Sequence, residues 1–202
     1  MDDLSRPDAE FADAYRELAA INRKLGGIRA VERFLPFSPS LSILDVAAGG
    51  CDVGEALACH GDCRVISLDV NPRGLKYAKR TQPLVGDAFK LPFPDGAFDI
   101  VMSSLFFHHL QWDECVCVLR EMWRTSRIRV IVNDLHRHPV AYASIVLLAG
   151  MFSKSVMVKN DGPVSVRRAF TPKELLQIAK EAGVPARVHR SFPYRIVLVA
   201  DK

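Results

Sequence analysis

Short apolar runs alternate with amphipathic stretches along most of the chain. The spacing of Phe11, Tyr15 and Leu18, four and three residues apart, predicts a helix starting at Pro7. Leu25-Gly26-Gly27 interrupts it, a second helix follows over about 28–35, and Pro36 and Pro39 then punctuate the chain. Residues 41–46 read as a buried strand running into the small residues Ala47-Ala48-Gly49-Gly50, with a helix predicted over 52–60. The alternation then repeats. Strands are predicted over 64–69, 82–85, 97–103 and 128–133, with a helix opening at Asn71-Pro72 and ending near Arg80, and another over 112–125. Strand–helix repetition with short connections implies a parallel sheet covered on both faces.

The C-terminal part changes the pattern. Thr171-Pro172-Lys173-Glu174 has the form of a capped helix start, Leu175, Leu176, Ala179 and Ala182 supply a buried stripe, and Gly183 stops it. Two strands, 186–191 and 194–200, are joined by Phe192-Pro193 alone, which requires an antiparallel hairpin at one edge of the sheet. The fold class expected is therefore α/β: one domain over 1–202 with a mostly parallel seven-stranded sheet, an antiparallel C-terminal hairpin strand and helices on both faces. Residues 1–36 form an N-terminal helical cap, and 139–170 an insertion between the fifth strand and the last helix.

Composition changes this picture little. Hydrophobic residues make up 49% and charged residues 25%, within the ordinary globular range, and the formal charge of +4 is spread along the chain. Arg120, Arg124, Arg127 and Arg129 are the densest basic group and read as a solvated helix face rather than a nucleic-acid surface. The cysteines, Cys51, Cys59, Cys63, Cys115 and Cys117, form no C-x-x-C pair, so no metal is expected. The polar N-terminus does not read as a signal peptide. The longest apolar stretch, 140–152, is shorter than the roughly 20 residues of a membrane span. A cytoplasmic protein is expected.

In a doubly wound sheet the ligand sits outside the carboxyl ends of the strands. Asp45 ends the first strand ahead of the small-residue loop, where backbone can approach a ligand and a helix N-terminus offers free N–H groups. Asp69 ends the second strand 24 positions later, about where an acid meets the ribose of an adenosine ligand. Asp87 follows the third strand, and Ser103 and Ser104 end the fourth.

ILDVAAGG (43–50), SLDVN (67–71), VGDAFKLPFPDGAFDIV (85–101) and SSLFFHHL (103–110) resemble successive motifs of class I S-adenosylmethionine-dependent methyltransferases, notably the branch containing ubiquinone/menaquinone methyltransferases and many small-molecule O-methyltransferases. The resemblance implies a Rossmann-like fold and S-adenosyl-L-methionine as cofactor. It places Asp45, Ala47, Ala48, Gly49 and Cys51 along the methionine part, Asp69 on the ribose hydroxyls and Val70 against the adenine. Asp87 is then expected to accept from the adenine amino group, Ala88 to offer its backbone N–H to the ring, and the backbone at Ser103 and Ser104 to meet the cofactor's amino group. At the family's three alternating glycines this chain has Ala47, Gly49 and Cys51, and Cys51 is expected to add a side chain beside the cofactor.

A dinucleotide oxidoreductase is disfavoured because GGCDVG from Gly49 breaks the G-x-G-x-x-G pattern at Cys51. The fourth strand lacks the Asn/Asp-Pro-Pro-aromatic motif of amide and adenine N-methyltransferases. The expected partner is a small-molecule acceptor, phenolic or quinone-like oxygen first, with carbon still open; INRKLGGIRA and SVRRAFTPKEL, similar to methyltransferases associated with type III polyketide synthases, favour a phenol. An oxygen acceptor needs a base, and His108 or His136 is the candidate. The alternatives are a nucleic-acid or protein methyltransferase and a non-catalytic cofactor-binding protein.

Overall fold

A computed structural model describes residues 8–36, 38, 40–59, 63–152 and 156–202, with side chains from residue 15 onward except 148–160. The predicted strands all form: β1 Ser42–Val46, β2 Arg64–Asp69, β3 Gln82–Val85, β4 Phe98–Ser104, β5 Ser126–Leu135, β6 Ala186–Ser191 and β7 Arg195–Asp201. Their order is β3-β2-β1-β4-β5-β7-β6, and only β7 runs antiparallel to its neighbours. The order reverses between β1 and β4, which opens a crevice above their carboxyl ends.

Period-two alternation divides the core. Leu44, Val46, Val101, Val130 and Val132 face one side and pack against α5 (Trp112–Thr125) and α8 (Pro172–Ala182). Ile43, Ile100, Met102 and Ile131 face the other, against α2 (Gly27–Glu32) and α3 (Asp52–Cys59). Asp45, one position from Leu44, lies on the α3 side, which decides where its carboxylate goes.

Helix starts and stops follow the local chemistry. Thr171 Oγ1 accepts from Glu174 N at 3.3 Å, Glu174 Oε2 accepts from Thr171 N at 2.8 Å, and Gly183 ends α8 at φ 74°. The helix at Asn71-Pro72 is shorter than expected: α4 spans only Pro72–Leu75. Glu55 Oε1 collects the backbone N–H groups of Lys79, Arg80 and Thr81 at 2.7–2.9 Å, and so draws this segment into β3 instead. Strand β5 is longer than expected because β7 pairs with it from Arg129 to Leu135.

The N-terminal segment forms α1 (Asp8–Lys24) and the insertion forms α6 (Pro139–Phe152) and α7 (Val156–Arg168). Helix α7 packs on α6, on α1 and on a 3₁₀ turn at Phe107–His109. Phe11, part of the predicted stripe of α1, has a side chain outside the described residues. No helix is long and apolar enough to cross a membrane among the described residues.

Candidate functional site

The crevice holds a cavity of about 530 Å³, within the range that encloses small molecules. Ala47, Ala48, Gly49, Asp69, Val70, Asp87, Ala88 and Ser104 all line it, although they come from four separate strand ends. The loop after β1 is tied to the end of β2: Asp69 Oδ2 accepts from Gly49 N and Oδ1 from Asn71 N, each at 2.8 Å. Asp87 Oδ1 accepts from Phe89 N at 2.9 Å, which sets its carboxylate at the cavity edge. Val70 is 74% exposed, an apolar plate with no core to bury it.

Gly74 presses on this loop from below. A Cβ there would lie 2.0 Å from Gly49 O, so the turn after β1 and the short α4 pack backbone to backbone. Ala47 and Cys51 take positive φ of 57° and 60°, at the positions where the resemblance places glycine. The backbone therefore follows a glycine-loop course in spite of its side chains.

Three of the expected site residues do not line the cavity. Cys51 is fully buried, and its Sγ sits 3.9 Å from Gly49 O and 4.0 Å from Gly74 O, beneath the loop instead of beside a cofactor. Burial pushes its thiol up to about 12. Asp45 is 2% exposed, turns to the α3 side, accepts from the backbone of Gly54 and does not line the cavity. Ser103 is buried too, its Oγ donating to Val46 O at 2.9 Å, which ties β4 to β1.

Burial raises the Asp45 carboxyl well above its ordinary range, and the charges of Asp52 and Asp69 raise it further. Asp52 lines the cavity and is itself raised by burial, against a 2.8 Å hydrogen bond from Asn22 Nδ2. Crowded carboxylates of this kind favour a cationic ligand, whose charge relieves their repulsion. A sulfonium compound bearing an adenosine fits both features: acids for its hydroxyl, amino and cationic groups, and exposed Val70 and Phe89 for a flat ring. No group of residues able to hold a metal occurs among the described residues.

The histidines separate. His108 is 5% exposed and buried behind the cavity wall, with Nδ1 2.6 Å from Asp134 Oδ1 and its backbone N–H donating to Oδ2 at 3.1 Å. Burial alone would raise the Asp134 carboxyl, but the charge and hydrogen bonds of His108 outweigh it and hold that carboxyl below its usual range. His136 borders a different cavity. His109 is the histidine that lines the first one, its ring 4.2 Å from that of His108. Adjacent positions in a 3₁₀ turn point about 120° apart, a difference the HH pair does not reveal in sequence.

Sequence reasoning also missed Tyr15 and Asn22 as cavity residues, having read Tyr15 as part of an apolar stripe. Burial, with Asp69 beside it, pushes the Tyr15 phenol up to about 12. The signal was an aromatic with a polar tip on an otherwise apolar helix face.

Residues 44–139 match the family model described as "Methyltransferase domain". A demethylmenaquinone methyltransferase of Chlorobaculum parvum is 29% identical over 157 residues, covering 70% of this chain and 64% of that protein, so the chain spans under two thirds of its relative's length. The fold is shared with a SAM-dependent methyltransferase from Aquifex aeolicus, with TM-score 0.69, 18% identity and 93% and 96% of the two chains covered. It is also shared with human N-acetylserotonin methyltransferase, solved in complex with SAM, at TM-score 0.71 and 15% identity, over 98% of this chain and 57% of that one. Residues 44–139 thus match a methyltransferase domain, and the motif order, strand order and acid-rimmed crevice resemble those of the S-adenosylmethionine-dependent methyltransferases whose fold the chain shares.

Proposed function

We propose that this chain transfers a methyl group from S-adenosylmethionine to a small-molecule acceptor, with a phenolic or quinone-like oxygen as the favoured target. One observation carries the reading: a single cavity collects the strand-end acids Asp69 and Asp87 and, on the same wall system, Phe106, Leu110 and His109. The cofactor supplies an electrophilic methyl group on a sulfonium sulfur. The protein's own part is largely positioning: Asp69 and Asp87 orient the nucleoside, and Asp52 with Asn22 marks the end where a cationic group is favoured.

The apolar residues Phe106 and Leu110 suit an aromatic or alkyl-bearing acceptor and exclude water from it. His109 is placed to take a hydroxyl proton. His108, braced by Asp134, is a positioning residue that fixes the turn carrying His109. His136, the other histidine weighed as a base, is assigned no part in proton removal. Helices α6 and α7 are the proposed cover over the acceptor. The demethylmenaquinone activity named for the Chlorobaculum relative supports a ring acceptor.

Calorimetry with S-adenosylmethionine and S-adenosylhomocysteine tests the shared premise, and absence of binding by either refutes the proposal. A methylation assay over phenols, quinones and tRNA then tests the acceptor. Methylated phenol or quinone is the expected product; turnover of tRNA alone overturns the small-molecule reading, and tight cofactor binding with no product from any acceptor points to a binding protein.

A further inference from the structure

A second cavity of about 710 Å³ lies past the end of β5, at the same carboxyl edge of the sheet. His136, Arg137, His138, Lys173, Arg190 and Arg195 line it, and its lining contains no carboxylate. Its charge is only partly compensated, although Arg195 is drawn to the buried carboxylates of Asp134 and Asp52. Arg137 is bridged to Glu174 at 2.5 Å, but the side chains of Lys173 and Arg190 have no hydrogen-bond or ion-pair partner among the described residues. Burial holds the His136 imidazole below its ordinary range, and the nearby charges of Arg190 and His138 lower it further. Helix α8, 11 residues long, also turns its N-terminus, the positive end of its dipole, towards this place through Thr171 and Pro172.

Arg195 adds an independent sign. It borders the cavity, is only 3% exposed, and donates from Nε to Leu25 O at 3.2 Å and from Nη2 to Asn22 Oδ1 at 2.9 Å. Its Nη1 has no partner among the described residues. A buried guanidinium nitrogen without an acceptor is costly, and a ligand oxygen would satisfy it. Asn22 lines the first cavity, so the Asn22–Arg195 hydrogen bond joins a residue of one cavity to a residue of the other.

We propose that this second cavity anchors an oxyanion, a carboxylate or phosphate group carried by the methyl acceptor, and so selects acidic acceptors over neutral ones. The proposal rests on the methyl-transfer reading for its acceptor, whereas the anion site itself does not. Arg190 and Lys173 supply the mobile cations at the mouth, and Arg195 a fixed one at the back.

The test uses the full chain and a Lys173→Ser/Arg190→Ser double variant, both positions being exposed and outside the first cavity. Inorganic phosphate, titrated at constant ionic strength and followed by the histidine ring resonances, should saturate the wild type and bind at least tenfold more weakly to the double variant. S-adenosylhomocysteine affinity should be the same in both. A carboxylated or phosphorylated phenol should show a KM at least tenfold below that of its neutral methyl ester, and the double substitution should remove the difference without changing kcat for the ester. Absence of saturable phosphate binding, or binding untouched by the substitutions, overturns the site. Equal KM for acidic and neutral phenols overturns its role in acceptor selection. Co-sedimentation with phosphatidylglycerol vesicles that the double variant loses, without saturable phosphate binding, overturns it in favour of a membrane surface. Phosphate binding with no S-adenosylhomocysteine binding supports the anion site and refutes methyl transfer instead.

Discussion

Substituting Gly74 by alanine should disable the cofactor loop without unfolding the protein. The added Cβ would stand 2.0 Å from Gly49 O and 2.6 Å from Gly49 C, whereas ordinary contact starts at 3.4 Å, so the two backbones must part by about 1.4 Å (3.4 − 2.0). Neither side can yield like a flexible side chain. Gly49 is fixed by its 2.8 Å bond to Asp69 and by its φ of 53°, and Gly74 lies inside α4. Overpacking of this kind costs roughly 1–3 kcal/mol, offset by about 1 kcal/mol from the better helix propensity of alanine. The net loss, at most about 2 kcal/mol, would lower Tm by no more than roughly 8 °C in a chain of this size. Function should suffer more, because a shift of about 1 Å in a positioning loop costs on the order of 10²-fold. S-adenosylhomocysteine calorimetry should show Kd raised at least tenfold, with circular dichroism at the same temperature confirming the native fold. Gly183→Ala is the control: φ is 74° with nothing within 4 Å, so it should cost about 1 kcal/mol of strain and leave affinity unchanged. If Gly74→Ala binds S-adenosylhomocysteine within twofold of the wild type, the contact between α4 and the loop does not set the ligand geometry.

Cys51→Gly should keep affinity within about twofold and stability within ~1 kcal/mol, because relief of left-handed strain offsets the lost thiol packing; Cys51→Val, β-branched at φ 60°, should bind several-fold more weakly, and a tenfold loss on glycine would contradict a thiol buried beneath the loop. With a phenolic acceptor, His109→Ala should lower kcat by about 10²–10⁴-fold at unchanged S-adenosylhomocysteine affinity, and steady-state rates equal to wild type would remove His109 as the base. Asp134→Asn should cost about 3–5 kcal/mol in denaturant melts, since it breaks a fully buried pair with His108; a loss under 1 kcal/mol would show that the pair braces nothing. The raised Asp45 carboxyl contributes stability that is full below the unfolded value of about 4 and is lost as pH rises through the folded value. The Tm of Asp45→Asn relative to wild type should therefore climb between pH 4 and 8 in calorimetric scans, and a flat difference would mean that Asp45 ionises freely in the fold.

Much of the site was legible because strands of four to seven apolar residues announce their own ends. Asp69, Asp87 and Ser104 stand where such runs stop, and parallel packing brings those ends together whatever lies between. The capped start of α8 and its glycine stop were equally local, being hydrogen bonds within three or four residues. Other features depended on distant partners. Whether Asp45 meets ligand or helix follows from which face of β1 lies against α3, and Cys51 is hidden only because Gly74 comes up beneath it. The placing of β7 between β5 and β6 required the pairing of residues 60 to 72 positions apart. His109 faces the cavity while His108 meets Asp134 because one turn of backbone is held from β5, a contact 26 residues away in sequence. Periodicity and turn chemistry act over a few residues and so can be read directly; side-chain direction at the loop, the turn and the second cavity is set by packing between elements, which exists only once the chain has folded.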